Sequence, residues 1–166
     1  MCPHVAAISR RRFALLAGAF TLLPFGTRAA EVEALALTCI DYRLVDDGVR
    51  FLDGLGLEKN FDHVALAGAS LAAVSDRFPS SNKAFWDQLA IARSLHHVKT
   101  LVVLDHRDCG AYKVAFGPDF APNPPQEDAQ HKAVMEQLKA QLAAKHPDLT
   151  SEYYLMALDG TAKRML

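Results

Sequence analysis

The sequence carries two short stretches rich in reactive side chains, CIDYR at residues 39–43 and HRDCG at residues 106–110. Each stretch follows an apolar run, at residues 32–38 and 99–104, that is typical of a buried β-strand. Together they offer thiol, imidazole, carboxylate and guanidinium groups. We therefore interpret the rest of the chain as the scaffold that brings these two stretches together.

Strands and helices alternate along the remainder of the chain. Further strands are expected at residues 63–67 and 152–158, and helices at residues 44–55, 83–96, 109–116 and 128–145. The run TLVVL is apolar on both faces of its strand, which indicates helices on both sides of a parallel sheet. The pair Asp159-Gly160 predicts a turn, after which residues 161–166 can pair back as a hairpin. The pattern predicts an α/β fold with a mainly parallel central sheet flanked by helices and a C-terminal strand or hairpin.

Composition is that of an ordinary folded domain. The chain has 166 residues, of which 51% are hydrophobic and 22% charged, and its formal net charge is −1. This length favours a single domain with a real core. No basic excess points to nucleic acid as a partner.

Residues 1–29 have the three parts of an export signal. A basic segment that includes Arg10 and Arg11 precedes an apolar run at residues 14–25, and small residues follow at Thr27 and Ala29. The paired arginines resemble a bacterial twin-arginine signal. The apolar run is shorter than the roughly 20 residues that span a membrane. We expect cleavage after residue 29, a single domain at residues 30–166, and a periplasmic or otherwise exported protein free of the membrane; retention of an uncleaved segment is the alternative.

The reactive stretches fall at the carboxyl ends of predicted parallel strands, where α/β proteins bind ligands. Cys39 follows the first strand, and Cys109 comes three residues after His106, so that a tight turn can bring both to one ion. Thiolate and imidazole groups suit Zn²⁺, and three protein ligands leave a fourth position for a water that ionises near neutral pH. The sequence therefore predicts one zinc ion per chain.

Asp41 and Arg43 are two residues apart in an extended segment, so their side chains share a face. Arg43 can hold Asp41 as an ionised, bidentate partner. Asp41 can then accept a hydrogen bond from zinc-bound hydroxide or take the fourth ligand position itself. Alternatively the pair is a structural ion pair, and the two cysteines form a disulfide in an oxidising compartment.

Several other polar residues are most simply structural. Asp105 and Asp108 flank His106, and a solvated turn explains them better than a role behind the ligand. His63, His131 and His146 are expected at the surface or at a strand edge, and nothing in the sequence selects one of them as a proton carrier.

The two stretches resemble the paired motifs of the β-class carbonic anhydrases, Cys-x-Asp-x-Arg and His-x-x-Cys-Gly, in the same order. The matching residues are Cys39, Asp41, Arg43, His106, Cys109 and Gly110. The resemblance implies that Cys39, His106 and Cys109 bind zinc and that Asp41 and Arg43 form a catalytic dyad that gates and orients the site. The implied reaction is the reversible hydration of CO₂ to bicarbonate by zinc-bound hydroxide.

The sequence also departs from the family pattern. Tyr42 stands where the family usually has Ser, Asp105 replaces a usual Gly, and LAGAS at residues 66–70 replaces Arg-Asn-Ala-Gly-Asn. After cleavage about nine residues precede Cys39, where the family has a helical arm that wraps a partner subunit; a homodimer or higher oligomer is still expected by resemblance. Two alternatives stay open: hydrolysis of carbonyl sulfide or carbon disulfide at the same site, and an exported zinc-binding protein without catalysis.

Overall fold

A computed structural model describes residues 31–117, 119 and 123–166 of the chain. The predicted export signal at residues 1–29 lies outside the described residues. The elements are β1 (Ala34–Thr38), a 3₁₀ turn (Tyr42–Leu44), α1 (Val45–Gly54), β2 (Phe61–Ala65), α2 (Ser70–Val74), α3 (Pro79–His96), β3 (Thr100–His106), α4 (Gly110–Phe116), α5 (Pro124–Lys145), β4 (Thr150–Met156) and β5 (Ala162–Arg164). Within these described ranges, no helix is long and apolar enough to cross a membrane.

The five strands form one sheet in the order β2-β1-β3-β4-β5. The first four are parallel, and β5 pairs antiparallel with β4 as the return strand of a hairpin. The predicted mainly parallel α/β fold with a C-terminal hairpin is confirmed. Thr38 of β1 lies opposite Leu104 of β3, so the residues that follow β1 and end β3 meet at one edge of the sheet.

Helices cover both faces of the sheet, as the doubly apolar central strand predicts. Successive residues of β1 point to opposite faces: Leu35 and Leu37 join the larger core cluster, whereas Ala34 and Ala36 join the smaller one. The larger cluster includes Phe85 of α3 as well as side chains from α2, α4 and α5. The smaller cluster receives Leu44, Leu52 and Leu57 from the α1 side. Each fully buried leucine of this kind contributes about 2 kcal/mol of transfer free energy.

Some helix limits differ from the sequence-based prediction. α3 begins at Pro79 rather than residue 83, because proline is preorganised for the first turn of a helix. α5 likewise begins at Pro124 rather than near residue 128, and Asn123 caps it by accepting a hydrogen bond from the Gln126 amide at 3.3 Å. The last long helix therefore begins about four residues earlier than expected.

The apolar stripe of α1 is buried at only some of its positions. Leu44 and Leu52 are buried, but Val45 is 53% exposed and Val49 is 39% exposed. Helical periodicity identifies one face of a helix but does not say how much of that face another element covers. These two valines instead border the cavity described below.

Candidate metal centre

The ends of β1 and β3 bring three metal-binding side chains together. Cys39 follows β1, His106 is the last residue of β3, and Cys109 immediately precedes α4. Their ligand atoms all lie within 4.8 Å of one another, and the two Sγ atoms are 3.9 Å apart. This is the group that the sequence predicts, and it forms because β1 and β3 are adjacent parallel strands in matching register.

The ring of His106 is fixed with one nitrogen directed at this group. Its Nδ1 donates a hydrogen bond to the carbonyl oxygen of Arg107 at 2.8 Å, which makes Nε2 the nitrogen with the free lone pair. Nε2 is buried and has no hydrogen-bond partner among the described residues. A buried acceptor without a donor is costly, and a metal ion would satisfy it. The donor set of two sulfurs and one imidazole nitrogen therefore fits zinc.

The two cysteines are free thiols in unequal environments. A hydrogen bond from the Cys109 thiol, with further contributions from His106 and the Gly68 amide, lowers the pKa of Cys39. The same interaction raises the pKa of Cys109. A disulfide needs sulfurs about 2.05 Å apart, so the 3.9 Å separation is that of two thiols, not of a bonded pair.

Gly68 supports Cys39 from the turn after β2. Its amide donates to the Cys39 sulfur at 3.3 Å. The residue has φ +87°, and a Cβ there would meet the Cβ atoms of Ala111 at 3.0 Å and Leu71 at 3.3 Å. Only glycine satisfies both the left-handed backbone and the close approach. Gly68 of the LAGAS segment thus supports the backbone turn and the hydrogen bond beside the candidate metal ligand.

Asp41 and Arg43 form the bidentate pair that the sequence predicts. Arg43 Nε donates to Asp41 Oδ1 at 3.0 Å and Nη2 donates to Oδ2 at 2.7 Å, while Nη1 reaches Asp108 at 2.9 Å. The guanidinium lowers the pKa of Asp41 to about 2. Asp41 Oδ2 lies 3.7 Å from His106 Nε2, so an ionised carboxylate stands beside the three candidate ligands. The catalytic role of the pair stays a prediction.

A cavity of about 240 Å³ opens directly onto this group. Cys39, Asp41 and His106 form its polar end. The rest of its wall is mainly apolar, with side chains from α1, β3 and β4, and includes Leu44, Val45, Val49, Leu104 and Met156. Tyr42, by contrast, is 86% exposed and does not line this cavity, and Ala69 is fully buried away from it.

A family model described as "Putative carbonic anhydrase" matches residues 29–151. The chain belongs to this family. Its relatives include an uncharacterized protein of Rickettsia conorii, 38% identical over 135 residues, which are 81% of this chain and 73% of the relative. The match extends well beyond the two motifs, and therefore covers the scaffold as well as the site.

Solved β-carbonic anhydrases share the fold of this family member. The carbonic anhydrase of Streptococcus mutans superposes with a TM-score of 0.55 at 19% identity, covering 94% of this chain and 92% of that one. A β-carbonic anhydrase of Sordaria macrospora, described as tetrameric, superposes with a TM-score of 0.51 at 14% identity, covering 92% and 85%. At these identities the likeness establishes the fold.

Asp105 is buried, and its interpretation as a solvated turn residue is wrong. It is 1% exposed. Its carboxylate accepts hydrogen bonds from the Ser70 amide at 2.9 Å, the Ser70 hydroxyl at 2.6 Å, the Tyr112 hydroxyl at 2.8 Å and His131 Nδ1 at 2.8 Å. His131, predicted at the surface or at a strand edge, is instead fully buried on α5. Asp105 thus joins α2, α4 and α5 to β3 directly behind His106.

The N-terminal part of α5 contacts the loop at residues 106–109, which carries two of the candidate metal ligands, and the sequence did not predict this contact. Glu127 is 2% exposed and accepts hydrogen bonds from the Asp108 amide at 2.6 Å and from Arg107 Nη1 at 2.8 Å. Asp128 accepts from Arg107 Nη2 at 2.6 Å. Asp108 has φ +58°, a conformation that needs support in a non-glycine residue. Because Asp108 lies between His106 and Cys109, this contact bears directly on their spacing.

Proposed function

We propose that this chain catalyses the reversible hydration of CO₂ to bicarbonate at a zinc ion held by Cys39, His106 and Cys109. The observation that carries the proposal is the convergence of these three ligand atoms within 4.8 Å, beside the ionised Asp41. Membership of a carbonic anhydrase-like family and the shared fold support it. A bound zinc ion would supply the Lewis acidity that lowers the pKa of water to about 7.

Asp41 and Arg43 orient the reacting water in this proposal. Arg43 occupies both oxygens of Asp41 from one side, which holds the carboxylate in place and keeps it ionised at neutral pH. An ionised carboxylate is only an acceptor of hydrogen bonds. Asp41 therefore admits a water that can donate to it and orients that water's remaining lone pair towards the cavity.

The cavity wall suits the difference in polarity between substrate and product. CO₂ is small, linear and uncharged, and the side chains of Leu44, Val49 and Leu104 offer it an apolar surface. Bicarbonate carries a charge that such a wall cannot solvate, and this favours its departure. The apolar wall thus favours both binding of the neutral substrate and release of the charged product.

Stopped-flow CO₂ hydration with the zinc-loaded domain at residues 30–166 tests the proposal. We expect hydration well above the buffer rate between pH 7 and 9, and its loss in His106→Ala, which removes the imidazole ligand. Hydrolysis of carbonyl sulfide without CO₂ hydration would instead favour the sulfur substrate. Zinc bound at one per chain with turnover of neither substrate would favour the binding protein without catalysis.

Export is part of the proposal, and it rests on the signal-like residues 1–29. The enzyme would then interconvert CO₂ and bicarbonate outside the inner membrane of a bacterium, free of the membrane after cleavage. Fractionation of cells that express the full chain tests this. The protein should be periplasmic and shortened by about 29 residues, and replacing both Arg10 and Arg11 with Lys should retain the full-length chain inside.

Self-association is also part of the proposal. Apolar side chains of the cavity wall are exposed in the single chain, namely Ile40 60%, Val45 53% and Val49 39%, and so is the neighbouring Tyr42 at 86%. Exposed apolar clusters commonly mark interfaces, and the similar Sordaria macrospora enzymes are described as tetrameric. Sedimentation velocity at micromolar concentration should give a dimer or larger species. A monomer at the highest soluble concentration would contradict this.

A further inference from the structure

One imidazole on the cavity wall has no role in holding metal. His63 lies on β2, an edge strand, and lines the same cavity as Cys39, Asp41 and His106. Its Nε2 is 2.7 Å from the hydroxyl oxygen of Thr38, the residue before Cys39. Thr38 is buried, whereas His63 is exposed at the rim. The pair therefore spans the distance from the inside of the cavity to solvent.

The surroundings of His63 leave its ring available for proton transfer. The adjacent Asp62 is engaged by His96, whose Nδ1 lies 2.8 Å from it. Phe61 contacts the His63 ring edge-on, with centroids 6.0 Å apart. The titratable groups that share its cavity are Cys39, Asp41, Asp105 and His106. Partial desolvation against the cavity wall lowers the pKa of His63 below its ordinary value of 6.5, so at neutral pH the ring is mostly uncharged and can accept a proton.

The other histidines are excluded by position. Among the histidines of the described residues, only His63 and His106 line the cavity. His106 bonds the Arg107 carbonyl with one nitrogen and faces the sulfurs with the other. His131 is fully buried in the Asp105 network, and His146 lies against Trp86. His63 is therefore the one imidazole of the described chain that reaches both cavity and solvent.

We propose that His63, acting with the Thr38 hydroxyl, carries the proton of each turnover between the cavity and solvent. This inference rests on the proposed CO₂ hydration, in which CO₂ and water give bicarbonate and one proton. The proton passes to the Thr38 oxygen while the Thr38 hydroxyl gives its own proton to His63 Nε2. The ring then releases the proton on Nδ1 to buffer, and proton exchange of the exposed ring with solvent restores the Nδ1–H tautomer, whose Nε2 can accept again. Only O–H and N–H bonds change, and no electron is transferred.

Variants at both positions, with a matched control, test the relay. His63→Ala removes the imidazole, and Thr38→Val removes the hydroxyl while keeping the shape of the side chain. His97→Asn is the control, because His97 is exposed, does not line the cavity, and has a left-handed backbone that Asn tolerates. Zinc content and the unfolding midpoint of all three should equal those of the unsubstituted protein, which establishes that the site and fold are intact.

Turnover at low and high buffer concentration separates proton transfer from the rest of the reaction. We expect His63→Ala and Thr38→Val to lower kcat at low buffer by about 10²-fold, the lower range expected for general acid–base assistance. Their kcat/KM should be unchanged. Free imidazole should restore kcat in His63→Ala but not change kcat in His97→Asn.

Two kinetic results would overturn the relay. One is a kcat of His63→Ala equal to that of the active, unsubstituted enzyme at every buffer concentration. That result would reject the relay but not the proposed CO₂ hydration. The other is an equal fall in kcat and kcat/KM that imidazole does not restore, which indicates a structural or substrate-binding role. Inactivity of the unsubstituted, zinc-loaded enzyme at high buffer would instead reject the proposed function itself.

An NMR titration of the His63 ring in metal-free protein gives a second readout of the relay. A ring that does not titrate between pH 4 and 8 cannot be the proton carrier.

Discussion

Asp41 is held by three hydrogen bonds from a single residue. The backbone amide of Arg43 donates to Oδ1 at 3.0 Å, and the guanidinium donates to both oxygens. A second carboxylate, that of Asp108, accepts a hydrogen bond from the same guanidinium, and this contact ties the loop after β1 to the loop after β3. A carboxylate so confined has a fixed direction, which is what a group that orients a water molecule requires.

Asp41→Asn is expected to lower turnover while leaving zinc bound. The amide keeps the size of the side chain but loses the charge and presents a donor where the site has only an acceptor. We expect CO₂ hydration to fall by about 10²-fold, the lower range for loss of an acid–base group. Zinc content measured on the same preparation should stay at one per chain. Loss of zinc together with a loosened fold would show that Asp41 only organises structure.

The acid dependence of stability follows from the same pair. The pKa of Asp41 falls from 3.8 to about 2 in the folded chain. A lowered pKa stabilises the fold above about pH 4, and that contribution disappears as the pH falls towards 2. Urea unfolding of metal-free protein across this pH range should show that the free energy of unfolding falls more steeply for the unsubstituted chain than for Asp41→Asn. Parallel curves would contradict the assigned pairing.

At the scale of elements, α5 is the helix that positions the loop at residues 106–109, which carries two of the candidate metal ligands. Glu127 satisfies the Asp108 amide and the Arg107 side chain together. Asp128 adds a second bond to Arg107, and its other oxygen is bonded by Lys163 of β5. Mutation of residues that orient metal ligands typically lowers metal affinity about 10- to 100-fold. Loss of this contact should therefore raise the zinc Kd measurably.

Glu127→Gln is expected to weaken zinc binding without unfolding the chain. The amide retains one acceptor but loses the ion pair with Arg107, so we expect the zinc Kd to rise about tenfold. Glu136→Gln is the matched control, because Glu136 lies on the same helix, is 53% exposed and pairs only with Lys132 among the described residues. Competition with a chelator measures the zinc Kd of both variants. Equal zinc affinity in the two variants would contradict a positioning role for Glu127.

The buried network around Asp105 should contribute to stability. Tyr112→Phe removes one of the four donors to that carboxylate, and an unsatisfied buried group costs about 1–3 kcal/mol. Tyr154→Phe is the comparison, because its hydroxyl donates to the part-exposed Glu152 at 2.6 Å. Its loss should cost about 1 kcal/mol or less. Urea unfolding of the two variants under identical conditions should rank them in that order, and the reverse order would be inconsistent with the network.

The elements were predictable to different degrees, for physical reasons. The ends of β1 and β3 could be predicted from local apolar runs in the sequence. Parallel pairing of these two strands is then enough to predict that Cys39 and His106 lie close together. Glu127 and His131 were missed because their partners are 19 to 26 residues away and depend on the angle and register of α5. Asp105 offered a signal in retrospect: a carboxylate at the end of a strand apolar on both faces must be buried with donors.

At the scale of the whole molecule, the sheet order explains why one edge holds all the reactive groups. β1 and β3 are neighbours, with β2 and β4 on their outer sides, so four parallel strands end near the site. β2 contributes His63, β1 leads to Cys39 and Asp41, β3 contributes Asp105 and His106, and Met156 of β4 closes the cavity wall. The sequence predicted this sheet type and the grouping of the three candidate metal ligands. It could not predict the cavity, because a cavity depends on which parts of α1 and β2 leave space uncovered.

The most direct test of the account is zinc dependence of CO₂ hydration in a single preparation of the domain at residues 30–166. Zinc is removed with a chelator, restored in steps, and followed by metal analysis and stopped-flow hydration together. We expect activity to rise in proportion to zinc up to one ion per chain and then to level off. Full hydration activity in the zinc-free protein, or one zinc per chain with no hydration at any pH from 7 to 9, would contradict the account.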